Sequence, residues 1–323
     1  MGLPTTSPDP PFRITRISHV VLAVTDLEAS LAFYTGLIGL VVTEAGDDAV
    51  YLRGVEESAH HSVVLRRSDR ACAERLGFRV AAEDDLDAAF AHFERRGLAA
   101  HWSDTVHQGR TLHATDVGGV AIELCVTMPS RPRRVLDFAA FRGAAATRID
   151  HAQVHVTDPG AYAGFYTELG FRISEYATAT GTPDAPLQGV FLARKGDMLD
   201  LVAFVNRGPR LHHVAFTVHD ASIKLPAVCD RATSLGLRDC IDYGPGRHGL
   251  APQQFLYLTD PDGHRIELVS YAYQLLDPEI EPVGWALDDP QGVTQWGPPP
   301  PASWWEQASP FRGVDVCSPY EPT

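Results

Sequence analysis

The chain has 323 residues, 45% of them hydrophobic, with 27 Lys and Arg against 41 Asp and Glu and a formal net charge of −14. That acidity excludes general nucleic-acid binding, which needs a cationic face to meet phosphate, and the apolar fraction excludes a disordered chain. No apolar run reaches the roughly 20 residues that cross a bilayer, the N-terminal MGLPTTSPDPPFR has no secretory pattern, and five scattered cysteines (Cys72, Cys125, Cys229, Cys240 and Cys317) without a CxxC suit reduced thiols in a cytoplasm.

The first predicted strand, HVVLAVTD, ends in Thr-Asp, a pair suited to cap a helix, and LEASLAFYTGL follows with an approximately helical apolar face. VVTEAGDDAVYLRG and HHSVVLRR read as strands, the former turning at Gly46-Asp47-Asp48. LGFRVAA, a helix over LDAAFAHFERRG, and the strands TLHATD and VAIELCVT around a Gly118-Gly119 turn repeat the order. The whole pattern then recurs. ISHVVLAVTDLEASLAFYT (17–35) and IDHAQVHVTDPGAYAGFYT (149–167) coincide at Ile17/Ile149, His19/His151, Asp26/Asp158 and Tyr34/Tyr166, a constant offset of 132. TDVGGVAIEL (115–124) and TDPDGHRIEL (259–268) coincide at Asp116/Asp260, Ile122/Ile266 and Glu123/Glu267. Two blocks in the same order mark a duplicated domain, about 12–130 and 145–275, followed by a Pro- and Trp-rich tail over 276–323. Several short strands per helix predict an α+β fold with four β-α-β-β-β modules rather than a doubly wound sheet. No P-loop or dinucleotide fingerprint is present.

Strand alternation places His151, Gln153 and His155 on one face. His212-His213 opens the run LHHVAFTV, and Glu267 lies in the closing strand HRIELVS. Two neutral imidazoles and one carboxylate leave about three open positions on an octahedral metal, which suits non-haem Fe(II) holding a bidentate substrate and dioxygen. Zinc, which usually keeps one open position, suits it less. The spacing alone is no known motif, and unrelated strand histidines would show the same pattern.

RLHHVAF (210–216), GPGRHG (244–249) and YLTDPDGHRIEL (257–268), on a duplicated scaffold running to WWEQAS (304–309), resemble the type I extradiol dioxygenases of the vicinal oxygen chelate superfamily, and within them the homoprotocatechuate 2,3-dioxygenases. The resemblance implies a cup-shaped, incompletely closed barrel in each half. It implies Fe(II), with Mn(II) accepting the same ligands, held by His151, His213 and Glu267 in the second half alone. Catechol and O2 are then the substrates, His248 hydrogen-bonds substrate or lid, Tyr257 bonds a substrate oxygen, and the enzyme is a homo-oligomer, commonly a tetramer. In the first half LGFRVA (76–81), matched to LHHVAF, offers no His or carboxylate, so His19 and Glu123 read as relics. His60-His61 and His264 read as structural, the former pair also as interfacial.

Four positions depart from the family pattern. Leu199 stands where the family has its acid/base histidine, Gln153 replaces an asparagine, Phe191 replaces a tryptophan, and Tyr243 and Val293 replace two arginines that hold an acidic side chain. An apolar pocket without those cations predicts a neutral, bulky catechol or aminophenol, because a buried anion needs partners. With Leu199 unable to move a proton, His155 is the candidate replacement, although a core histidine fits that position equally well. A metal-dependent isomerase or lyase on the same scaffold is the alternative activity, and a sequestering protein is a third. The tail is expected to fold over the mouth of the site, packed down by Trp296, Trp304 and Trp305, with the residues after about 312 loose.

Overall fold

The computed structural model describes residues 2–313; the expectation of a loose end falls on 314–323, outside the described residues. The first half runs β1 (Ile14–Val24), α1 (Leu27–Phe33), β2 (Val41–Ala45), β3 (Ala49–Arg53), β4 (Val63–Arg67), β5 (Cys72–Val80), α2 (Glu83–Arg95), β6 (Ala100–Thr105), β7 (Gly109–Thr115) and β8 (Ala121–Cys125). The second repeats it as β9 (Arg148–Val156), α3 (Pro159–Glu168), β10 (Arg172–Thr178), β11 (Leu187–Ala193), β12 (Leu201–Val205), β13 (Arg210–Thr217), α4 (Ala221–Ser234), β14 (Ile241–Arg247), β15 (Gln254–Thr259) and β16 (Arg265–Val269). Asp26 and Asp158 cap α1 and α3, accepting from Ala29 N and Ala161 N at 2.9 Å, so the repeated Thr-Asp ends a strand and starts a helix.

The two sheets share one topology. The first has the order β2-β3-β4-β1-β5-β8-β7-β6, and the second places β10-β11-β12-β9-β13-β16-β15-β14 in the same sequence. Neither closes into a barrel, since β2 and β6 are free ends of the first sheet. The tail adds β17 (Val283–Ala286) beside β10, two short helices α5 (Pro290–Val293) and α6 (Ala302–Glu306), and β18 (Ser309–Pro310) against β13.

The repeated motifs also dock the halves. Tyr34 donates across to Asp260 (3.2 Å) and Tyr166 to Asp116 (2.8 Å), two reciprocal bonds between buried residues. Each Asp meanwhile holds its own turn: Asp116 accepts from Gly118 N and Val120 N, and Asp260 from Asp262 N and His264 N. One apolar core, with Tyr34, Phe78, Tyr166 and Phe171 fully buried, runs through both halves.

Pairing registers correct one assignment. Glu267 on β16 faces Ala215 on β13, and Glu123 on β8 faces Gly77 on β5. Position 215 therefore matches 77, and His213 matches Arg75, not a residue of 76–81. A β-bulge stands at the same place in each pair, at His212 in β13 and at Glu74 in β5, so the match of Arg75 with His213 carries through it.

Candidate metal centre and its cavity

His151 on β9, His213 on β13 and Glu267 on β16 come together as expected. The His151 Nε2–His213 Nε2 distance is 3.1 Å, and Glu267 Oε2 lies 3.2 Å from each nitrogen. For a divalent metal with bonds of about 2.1 Å, neighbouring octahedral ligands stand about 3.0 Å apart, so this triangle has the dimensions of one face of such an octahedron. The three side chains are almost fully buried. Burial opposes charge on Glu267, but His213, His151 and His248 around it hold its carboxyl well below the usual range. Burial brings His213 down to about 4, whereas for His151 the Asp150 and Glu267 carboxylates outweigh burial and raise it to about 9.

A bulge sets the first ligand. Phe216 pairs with Ile149 and Val214 with Ala152, and the irregularity between them turns Asp150 and His151 toward each other. Asp150 Oδ2 lies 2.9 Å from His151 Nδ1, so the carboxylate accepts a hydrogen bond from Nδ1–H and leaves Nε2 to face the centre. On the other side, His248 Nδ1 donates to the Val293 carbonyl. Its Nε2 then faces the Tyr257 hydroxyl (3.1 Å) and Glu267 Oε1 (3.4 Å). Tyr257 is opposite Glu267 across β15 and β16, and its pKa is raised well above the ordinary value, burial first and Glu267 second.

The triad opens into a cavity of about 200 Å³. Its wall carries Gln153, His155, Phe191, Leu199 and Val293 of the expected residues. Among the described residues that line it there is no Lys or Arg. Strands as far apart as β11 and β15 line it, which requires the open sheet to curve into a cup. Tyr243 differs from expectation. It does not reach the cavity but stacks behind Tyr257 (5.5 Å, 5°) and bonds Thr294 through its hydroxyl. His155 sits four residues along β9 from His151, a Cα separation of about 13 Å at the strand rise. Its ring packs at 5.0 Å from His212, and burial lowers its pKa to about 3.

The tail is held largely by main-chain contacts. Arg265 fans out to Asp242 Oδ2 (2.6 Å), the Gln307 carbonyl (2.8 Å) and the Ser303 carbonyl (3.3 Å). Trp304 and Trp305 line the cavity. Trp296 is half exposed, and its segment is pinned instead by backbone bonds to Arg247. Sequence reasoning missed His212, Phe204, Leu250, Ala251 and Glu175. Glu175 is buried and accepts from Ala251 N, Tyr273 Oη and Trp285 Nε1, tying a cavity loop to the tail. Apolar strand positions had no signal beyond ordinary core pattern; the doubled histidine was the signal for His212.

In the first half His19 Nε2 lies 2.5 Å from Glu123 Oε1, and the guanidinium of Arg75 takes the third ligand's place, 2.8 Å from Glu123 Oε2. Another group, Glu44, His60 and His107, gathers near the rim. The rings of His60 and His107 stack face to face (3.8 Å, 17°), so their lone pairs run side by side instead of converging.

The model of the Glyoxalase/Bleomycin resistance protein/Dioxygenase superfamily matches residues 16–124 and 148–268. The chain belongs to that superfamily. Among its dioxygenase relatives, a metapyrocatechase from Geobacillus stearothermophilus is 27% identical over 96% of this chain and 98% of its own length. A manganese-dependent 2,3-dihydroxybiphenyl 1,2-dioxygenase from Geobacillus genomosp. 3 is 27% identical, covering 88% and 94%. The homoprotocatechuate 2,3-dioxygenase of Brevibacterium fuscum, in its complex with 3,4-dihydroxyphenylacetate, superposes with a TM-score of 0.89 at 31% identity, covering 94% of this chain and 95% of that one. These relatives are extradiol ring-cleaving dioxygenases, and the superfamily fold is that of the two repeated sheets above. No helix among the described residues is long and apolar enough to cross a membrane.

Proposed function

We propose that this dioxygenase-superfamily chain is a metal-dependent extradiol dioxygenase that opens the ring of a neutral, apolar catechol or aminophenol. The observation that carries the reading is the His151, His213 and Glu267 triangle opening onto a cavity with no Lys or Arg among the described residues that line it. These three residues would hold Fe(II) or Mn(II), and the ion would supply Lewis-acid and electron-transfer chemistry to a catechol and O2. The chain's own residues would do the rest. His248, its Nδ1 proton committed to Val293, presents Nε2 for proton exchange with a substrate oxygen. Tyr257 keeps its proton and donates a hydrogen bond there. Leu199 and Phe191 exclude water from the ring. His155 serves proton transfer only at the far end of the cavity, beside the part of a bulky substrate that lies beyond the ring. The tail closes the mouth through Trp304 and Trp305. Four thiols free among the described residues (Cys72, Cys125, Cys229 and Cys240) support a reducing compartment such as the cytoplasm, and a homo-oligomer belongs to the same reading.

The test is oxygen uptake by Fe(II)-loaded enzyme across a catechol panel. An alkyl- or aryl-substituted catechol is expected to exceed homoprotocatechuate in kcat/KM by at least about tenfold, since an unpaired carboxylate in this cavity costs more than about 1.4 kcal/mol. Faster turnover of homoprotocatechuate would overturn the substrate reading. No uptake with any catechol or aminophenol would overturn the activity.

A further inference from the structure

His212 is next to a metal-ligand candidate, yet alternation along β13 should turn its ring away from the centre. The bulge between Leu211 and His213 brings the two rings together instead, with Nδ1 2.7 Å from Nδ1. The other nitrogen of His212, Nε2, lies 2.6 Å from the backbone carbonyl of Trp304. A carbonyl oxygen only accepts, so Nε2 of His212 carries a hydrogen. The neutral ring then has a bare Nδ1, and the hydrogen between the two rings belongs to Nδ1 of His213. That leaves Nε2 of His213 with its lone pair aimed at the triangle.

We propose that His212 is a positioning residue for the metal centre, selecting the metal-binding tautomer of His213 and coupling it to the docked tail through the Trp304 carbonyl. The inference rests on the metal-centre reading above. It gives the two histidine ligands different second partners. Asp150, a carboxylate, sets His151, and a neutral imidazole sets His213. The counterpart of His212 in the first half is Glu74, which pairs with Arg66 (3.1 Å) and with Arg312 of the tail. Only the half with the triad has the relay.

Two substitutions separate tautomer selection from mere anchoring. His212→Asn keeps an acceptor near the Nδ1 position and loses the bond to Trp304. His212→Gln keeps a donor near Nε2 and loses the acceptor for His213. Apo protein of each, with native near-UV circular dichroism as the folding check, is titrated with Mn(II) and followed by electron paramagnetic resonance. His212→Gln is expected to weaken Mn(II) binding at least about tenfold, and His212→Asn by no more than about threefold. In the wild-type apo protein, nitrogen-15 imidazole spectra are expected to show His213 protonated at Nδ1, which needs no variant to fold. Wild-type affinity in His212→Gln, equal losses in both variants, or His213 protonated at Nε2 each overturns the proposal. His213→Ala serves as the control on the site itself. If it binds Mn(II) like wild type, the metal-centre reading fails and the relay fails with it. If it loses Mn(II) while His212→Gln does not, the relay alone fails.

Discussion

The two halves hold the same strand order, the same bulges and the same histidine-to-glutamate pair across the sheet, yet they resolve a buried carboxylate in opposite ways. In the second half, Glu267 faces two imidazoles whose far nitrogens are committed to Asp150 and His212, so the near nitrogens converge. In the first half the matched residues are Ser18 for Asp150, His19 for His151 and Arg75 for His213. Ser18 offers no carboxylate, and Nδ1 of His19 is left without a partner. Arg75 supplies a permanent cation where the second half leaves room for a divalent one. Gly77 completes the change, since a Cβ there would lie inside the His19 imidazole, whereas Ala215 carries one at the matching position. A buried carboxylate needs a positive partner. The first half carries that partner as a side chain, and only the second can take it from solution.

The largest effect is expected from moving the first half's solution into the second. His213→Arg should fold, pair its guanidinium with Glu267, retain no metal, and lose ring-cleavage activity by more than about a hundredfold. Wild type should gain about 2.7 kcal/mol of stability with Mn(II) at a hundred times its Kd, and His213→Arg should gain none. Urea unfolding with and without Mn(II), together with elemental analysis, checks both statements. Metal retained by the variant would break the comparison.

The reverse exchange is smaller. Arg75→His leaves Glu123 with His19, His113 and Gln108 for partners and is expected to cost about 2 kcal/mol, less than a fully buried pair because Arg75 is partly exposed. It should not create a metal site, because nothing orients His19. Adding Ser18→Asp supplies that acceptor, and the double variant, made with His213→Arg to silence the second half, is expected to bind Mn(II). If Arg75→His binds as tightly as wild type by itself, Asp150 matters less than its geometry implies.

The repeat and the α+β modules were legible because they lie in strands where period-2 alternation largely holds, whereas His151, His213 and Glu267 were singled out by the resemblance, since bulges flank both histidines. Legibility failed where a bulge breaks that period. The extra residue at His212 hid a contact between neighbouring rings, and the match of Arg75 with His213 was hidden because the offset between the halves grows from 132 at His19/His151 to 138 there. Tyr243 was placed in the pocket by analogy of position, but stacking on Tyr257 and the bond to Thr294 draw its ring into the layer behind. The tail's docking was obscure for another reason. Much of it runs through carbonyls of Ser303, Trp304 and Gln307, and main-chain acceptors leave no mark in a sequence.

The smallest expected effect compares the two docking bonds. Asp116 is wholly buried, and burial raises its carboxyl to about 6 despite hydrogen bonds from Tyr166 and two backbone amides. A group raised in the folded state contributes stability that is fully present below its unfolded pKa of about 3.8 and is lost as pH rises through the folded value. Stability should therefore fall between pH about 4 and about 6, and Asp116→Asn should flatten that slope. Tyr166→Phe removes a donor that favours the ionised form, so Asp116 is pushed higher still. Its cost, about 1 kcal/mol, should grow as pH rises through 6. Tyr34→Phe breaks the longer bond to Asp260, a carboxyl that burial also raises, and should cost less. Urea unfolding of both variants at pH 5 and pH 7.5 decides the order. A larger cost for Tyr34→Phe at both values would mean that the reciprocal bonds are not matched in the way their distances indicate.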